Sequence, residues 1–479
     1  MKKPKKHYKL SIFLLVFLLL IGGTLIAGLI ILQLQGKLAG MIQKAFEFIN
    51  AGGVYGTLML FWILLIPILL IILLVINVKR RGKFKEVQNV WQEAMKIAIE
   101  QEMAARAAEE AEREKLPDPR FGLLNHLDGR TPFSGSANSE GISSLEELCE
   151  RFRAYSASQL GLYYSITDIR EFISSLAVSR IIILQGLSGT GKTSLAYAFG
   201  EFLGNPSTII PVQPMWKERT DLLGYYNEFT RKFNETVLLQ AMYEANRSDG
   251  IFITVLDELN IARVEYYFAE FLSLLEIPNP ESRYLEIVPD VWKNDPQGLK
   301  DGRIKLPENM WFIGTANNDD STFAISDKVY DRAMVLNMNR KADRSAYTGA
   351  FGSSKKAAFT VKQFEELVSE VRERYELTNR NERRLQTLDE YLIEKFQISF
   401  GNRIMKQIRS YISVYVSCGG EELDALDDIL CKKVFRKLEA QNLAYVKSEA
   451  ENLCDFMDEL FGGRLKRCRE YIQQFVRAM

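Results

Sequence analysis

Histidine is nearly missing from this chain: only His7 and His126 occur in 479 residues, and neither lies in a segment with catalytic patterning. That removes a histidine-based triad and a histidine metal cluster from consideration. Cysteine is scarce and scattered. Cys149, Cys418, Cys431, Cys454 and Cys468 form no C-x-x-C pair, so neither a disulfide framework nor a zinc site is indicated. Reduced thiols in a cytosolic domain are the simpler reading. Neither sign of charge prevails, with 61 Lys plus Arg against 61 Asp plus Glu. No overall basic excess marks a nucleic-acid binder, which leaves only a local patch for such a partner.

What the chain does have is Ile181-Ile182-Ile183-Leu184-Gln185 running into Gly186-Leu187-Ser188-Gly189-Thr190-Gly191-Lys192-Thr193. A β-branched run, a G-x-x-x-x-G-K-T loop and a helix-forming segment from Ser194 follow one another, the context of a phosphate-binding P-loop. Glycines let backbone N–H groups converge on phosphate oxygens, and the helix N-terminus favours the anion. Lys192 would reach the β- and γ-phosphates, and the Thr193 hydroxyl would ligate Mg²⁺.

The N-terminal region reads differently. Lys2, Lys3, Lys5, Lys6 and Lys9 precede an uncharged run, and a second such run ends at Lys79, Arg80, Arg81, Lys83 and Lys85. Two spans, about 11–34 and 57–78, are each long enough to cross a bilayer, and the basic flanks place both chain ends in the cytoplasm. The expectation is a multi-pass cell-membrane hairpin over residues 1–84. Residues 85–115 read as a helical stalk rich in Glu, Ala, Lys and Arg, either paired through a weak Ala-rich heptad seam or single. Residues 116–143, rich in Gly, Ser, Pro and Asn, read as a flexible linker. Residues 144–179 carry two apolar stripes at helical spacing.

Two further apolar runs end in polar residues. Ile251-Phe252-Ile253-Thr254-Val255-Leu256 leads to Asp257-Glu258, a Walker B pattern. Asp257 would hold Mg²⁺, and Glu258 would orient the attacking water. Met310-Trp311-Phe312-Ile313-Gly314-Thr315-Ala316 leads to Asn317, whose amide could hold that water or the γ-phosphate, with Asp320 close behind. Arg332 is either an arginine finger or a surface ion-pair partner.

These motifs resemble those of AAA+ ATPases, specifically the McrB-like and MoxR/dynein-related branch. The resemblance rests on Gly186 to Thr193, Thr220-Asp221-Leu222-Leu223-Gly224-Tyr225, Leu256-Asp257-Glu258-Leu259-Asn260 and the G-T-x-N-x-x-D run from Gly314 to Asp320. It covers about 145–438. It implies an α/β fold: a P-loop NTPase core with a parallel sheet between helices over 144–345, then a helical lid and C-terminal helices over 346–479. It implies a homo-oligomer, usually a hexameric ring, with nucleotide between subunits. Asn317 takes the sensor-1 role, Asp320 is its acidic companion, Arg332 is the finger, and Arg403 stands at sensor 2, reaching the γ-phosphate in cis or serving as an ion pair. The substrate is ATP with Mg²⁺; GTP is also open, since McrB members are associated with it. Two uses compete: the motor of a defence or restriction-type system driving a McrC-like nuclease or other effector, or a MoxR-like chaperone remodelling proteins at the membrane.

Overall fold

The computed structural model describes residues 92–104, 119–135, 141–317, 322–339 and 355–477, with scattered positions between 39 and 76. Met1–Glu112 and Arg113–Met479 form separate compact units. In the first, no helix among the described residues is long and apolar enough to cross a membrane. This overturns the expectation of a membrane-embedded, multi-pass protein. The longest described helical stretch there is 92–104, which is exposed and carries Glu93, Lys96, Glu100 and Glu102. Its length, about 20 Å, falls short of the roughly 30 Å hydrocarbon layer. The expected span at 11–34 lies outside the described residues, as do much of 57–78 and the rest of the stalk.

The second unit begins with α1 (Leu123–Asp128), α2 (Leu145–Leu160) and α3 (Ile166–Val178). Then come β1 (Ile181–Gln185), α4 (Lys192–Phe202), β2 (Thr208–Pro211), α5 (Arg219–Leu223), the hairpin β3 (Gly224–Asn227) and β4 (Lys232–Glu235), and α6 (Val237–Ala245). β5 (Phe252–Asp257), α7 (Val264–Tyr267), α8 (Ala269–Leu274), β6 (Tyr284–Glu286), β7 (Arg303–Lys305), β8 (Met310–Ala316), α9 (Asp327–Tyr330) and β9 (Met334–Asn337) follow. The chain ends in helices α10 (Val361–Arg374), α11 (Asn379–Phe396), α12 (Gly401–Ser417), α13 (Glu422–Lys433), α14 (Leu443–Phe461) and α15 (Lys466–Arg477).

The main sheet is wholly parallel, in the order β2-β5-β8-β1-β9. Its central strands are apolar runs because helices cover both faces. Alternation divides them between two cores. Ile182, Leu184, Ile253, Val255, Trp311 and Ile313 point into one, while Ile181, Ile183, Phe252, Leu256, Met310 and Phe312 point into the other. The first core runs on into the C-terminal helices, joining lid and sheet. An ionic cluster adds to that junction: Lys432 on α13 pairs with Glu171 on α3 at 3.0 Å and with Asp428 at 2.5 Å. Arg467 on α15 pairs with both acids.

The stretch expected as a flexible linker is instead packed where it is described. Arg120 is buried, its guanidinium 3.0 Å from Asp290 and 2.5 Å from Asp295. Phe121 stacks on Phe233 with ring centroids 4.9 Å apart. The Glu235 carboxylate accepts from the N–H groups of Gly122, Leu123 and Leu124 at the start of α1. Polar and turn-forming neighbours disguised the apolar spacing of Phe121, Leu124 and Leu127, all of which are buried.

Candidate functional site

β1 ends at Gln185, and the chain turns through Gly186 to Gly191 into α4. Two glycines are required here. A Cβ on Gly186 would lie 2.4 Å from the Met338 carbonyl oxygen, and Gly191, the N-cap of α4, has φ +86°, which costs other residues strain. The Thr190 hydroxyl donates to the Leu187 carbonyl at 2.9 Å. The Lys192 ammonium, buried, donates to the carbonyls of Gly186 at 3.0 Å and Leu187 at 2.8 Å, so it already lies within the loop's concavity. Leu187 is exposed at the loop's outer face, and Ser188 and Gly189 form its tip, Gly189 with φ +75°.

The strand order places β8 between β1 and β5, so three strand ends converge. Asp257 Oδ1 accepts from two hydroxyls, Thr193 Oγ1 on α4 at 2.8 Å and Thr315 Oγ1 on β8 at 2.8 Å. The Thr315 oxygen in turn accepts from the Glu258 backbone N–H at 2.9 Å. Glu258 sits in the left-handed region with φ +55°, an uncommon conformation for a non-glycine residue. This directs the chain sharply out of β5 and leaves the Glu258 side chain exposed at the sheet's C-terminal edge. A hydroxyl and a carboxylate side by side, next to helix-terminal N–H groups, form the oxygen-rich donor set that Mg²⁺ prefers, with phosphates completing its shell. The described residues therefore fit a magnesium nucleotide.

Asn317 closes β8, half-buried, and lines a cleft of about 1180 Å³ between the sheet edge and the C-terminal helices, together with Gln185, Lys432, Arg436 and Arg467. The Asn260 side-chain amide donates to Asn317 O at 3.2 Å, Thr322 Oγ1 at 2.9 Å and Phe323 O at 3.3 Å, which pins both ends of the 318–321 segment. Asp320 falls in that segment, outside the described residues. The Tyr164 hydroxyl donates to the Gly191 carbonyl at 3.4 Å, and burial pushes its ionisation well above the ordinary tyrosine range.

Arg332 and Arg403 are not part of this convergence. Arg332 follows α9, and its carbonyl accepts from Ser179 Oγ at 2.7 Å, just ahead of β1. It therefore lies at the opposite end of β1 from the P-loop, roughly 15 Å of strand away. Its guanidinium donates to Glu276 at 2.5 Å and to the Lys328 carbonyl at 2.6 Å. Arg403, more than half exposed, donates to the other oxygen of the same Glu276 carboxylate at 2.8 Å. α12 thus carries Arg403 to the Arg332 end of the sheet. The hydrogen bond from Arg332, with a further one from Arg403, holds the Glu276 carboxyl below its usual range despite some burial. Both arginines and Glu276 line a cavity of about 1340 Å³ that Arg180, Arg283 and Arg372 also border.

Sequence reasoning left Thr315, Asn260 and Tyr164 without roles. Thr315 had a signal, being the hydroxyl residue inside the G-T-x-N run that places Asn317. Tyr164 had none, because its link to Gly191 spans 27 residues.

Residues 181–333 match the AAA domain (dynein-related subfamily), and residues 353–479 match a domain of unknown function. Over 176 residues the chain is 27% identical to the type IV methyl-directed restriction enzyme EcoKMcrB subunit of Escherichia coli (strain K12). That match takes in 35% of this chain and 36% of the relative, so only about a third of the relative's length is spanned. Among solved structures, a full-length MCM homolog from Methanopyrus kandleri is similar at 12% identity and a TM-score of 0.31, over 58% of this chain and 59% of that one. With the P-loop, Asp257 and Glu258 gathered at one sheet edge inside the region that matches the AAA domain, the chain is a P-loop NTPase that hydrolyses nucleotide.

Proposed function

We propose that the chain is the motor subunit of a McrB-like oligomeric ring, hexameric by resemblance, which hydrolyses ATP or GTP to drive a separate effector. The observation that carries the catalytic part is the double hydroxyl contact on Asp257, which ties the P-loop helix to the strands bearing Glu258 and Asn317. Lys192 and the loop amides bind the β- and γ-phosphates. Thr193 and Asp257 would hold Mg²⁺, which would supply positive charge to the phosphates. Glu258 orients the attacking water and accepts its proton. Asn317 steadies that water or the γ-phosphate, with Asp320 its acidic companion by resemblance. The weak relationship to a restriction-enzyme subunit favours a defence-type motor working with a McrC-like nuclease, with nucleic acid as the stimulating partner.

Arg332 and Arg403 share Glu276 at the far end of β1 from their own P-loop, which supports their action on a neighbouring subunit's nucleotide. Release from Glu276 would free positive charge for the departing γ-phosphate. The test is Glu258→Gln in the full chain. It should bind magnesium nucleotide as tightly as the unsubstituted protein and lose about 10²- to 10⁴-fold in turnover. Hydrolysis at the unsubstituted rate would remove Glu258 from the mechanism. Turnover measured with ATP and GTP, with and without duplex DNA, identifies the base and tests the nucleic-acid partner.

A further inference from the structure

The backbone that carries Arg332 is held at four successive carbonyls. Lys433 Nζ donates to Tyr330 O at 2.9 Å, Asp331 O at 3.3 Å and Ala333 O at 2.5 Å. Ser179 Oγ donates to the fourth, that of Arg332 itself. Lys433 is the last residue of α13, in the helical lid, and is 5% exposed. Among the described residues no carboxylate pairs with its ammonium. An apolar side chain would fill the same space without the cost of desolvating a charge. What only the lysine amino group provides is hydrogen-bond donation to several carbonyls of one turn. The preceding residue, Lys432, faces elsewhere and joins the lid to α3 through Glu171. Two adjacent lysines thus tie one lid helix to two places: the body of the domain and the turn that aims Arg332.

We propose that Lys433 is a positioning residue for hydrolysis in the neighbouring subunit: from the lid it fixes the turn that aims Arg332, so lid and arginine move as one piece. A lid that shifts with its own subunit's nucleotide then moves the arginine offered to the next subunit. This rests on Arg332 acting between subunits, and the experiment separates the two ideas.

Hydrolysis is measured for full-length Lys433→Met, Arg332→Ala and the double variant, each alone and mixed with excess Glu258→Gln. The Glu258→Gln subunits keep both Lys433 and Arg332 but themselves cleave about 10²- to 10⁴-fold more slowly. Alone, Lys433→Met is expected to lower kcat about tenfold or more with KM within about twofold. The double variant should fall within about twofold of Arg332→Ala, since residues acting through one group are not additive. Mixing should restore turnover to the Lys433→Met sites as it does to Arg332→Ala sites, because the neighbour supplies an intact arginine turn; a lid merely loosened in its own subunit would gain nothing. If Arg332→Ala is restored and Lys433→Met is not, the positioning role is wrong and the finger reading stands. If Arg332→Ala is not restored either, both fall. Should Lys433→Met fail to fold, Lys433→Arg, which keeps the charge and changes its reach, is put through the same mixing with the same outcomes.

Discussion

Thr315 offers a sharp test of the catalytic geometry, because one hydroxyl does two jobs. It donates to Asp257 Oδ1 and accepts from the Glu258 N–H, and it is 3% exposed. Thr315→Val keeps the volume and removes both bonds. An orphaned buried N–H costs about 1–3 kcal/mol. The Glu258 backbone, at φ +55°, is itself a conformation that costs about 1–3 kcal/mol and persists only where neighbours enforce it. Without Thr315 the enforcement goes, and Glu258 is free to relax away from the site of attack. If the penalty is expressed wholly as misplacement of Glu258, at about 1.4 kcal/mol per tenfold, single-turnover cleavage slows about 5- to 150-fold. Nucleotide affinity should stay within about threefold, since Lys192 and the loop amides are untouched. Thr315→Ser keeps the hydroxyl and should cleave at close to the unsubstituted rate. Rapid-quench assays with a magnesium nucleotide read both quantities. Unchanged cleavage by Thr315→Val would refute the argument. Equal losses of rate and affinity would also refute it, since Thr315 would then serve binding rather than the placement of Glu258.

Lys432→Met should destabilise the fold by about 3–5 kcal/mol, because Glu171 and Asp428 would stay buried with Arg467 as their remaining cation. Chemical denaturation measures this, and a midpoint shift near zero would mean that the cluster contributes nothing to lid docking. Burial lowers the Lys433 ammonium from its ordinary 10.5 to about 7; Asp331 opposes this, and Arg403, Arg436 and Lys437 reinforce it. Below about pH 7 both folded and unfolded chains carry that proton. From there to about 10.5 the unfolded chain holds a proton that the folded chain has released, so this group makes stability rise with pH across the window. Denaturation midpoints followed from about pH 6.5 to 9.5 should show this rise in the unsubstituted protein and lose it in Lys433→Met. A rise of equal size in both would assign it to another group.

Legibility in the sequence tracked how local the physics was. The P-loop was readable because its chemistry is written in consecutive residues: glycines, a lysine and a threonine. β1, β5 and β8 were readable as apolar runs because a parallel sheet covered on both faces demands them, and β5 and β8 lead into Asp257 and Asn317, polar residues that the site uses. Packing of the segment around Arg120 and Phe121 was not readable, because its turn-rich composition masked three spaced apolar residues. The membrane hairpin followed from hydropathy alone, and no helix long and apolar enough to span stands among the described residues. The meeting of Arg332, Glu276 and Arg403 was the least accessible, since residues 56 and 127 positions away converge on one carboxylate without any local signature.

That meeting bears on how hydrolysis is organised. Arg403 lies at the wrong end of β1 for its own γ-phosphate, so either the lid swings through the length of a strand or the phosphate belongs to another chain. Swinging the lid would part buried Glu171 from Lys432 and Arg467 and strip three carbonyl partners from Lys433. Breaking a buried ion pair alone costs about 3–5 kcal/mol. A neighbour's phosphate brought to Arg332 and Arg403 requires only that Glu276, lightly buried and readily rehydrated, release them. An exposed pair such as Arg403–Glu276 is worth about 0–1 kcal/mol. On that difference in cost, the action of both arginines on an adjoining subunit's nucleotide is the cheaper arrangement.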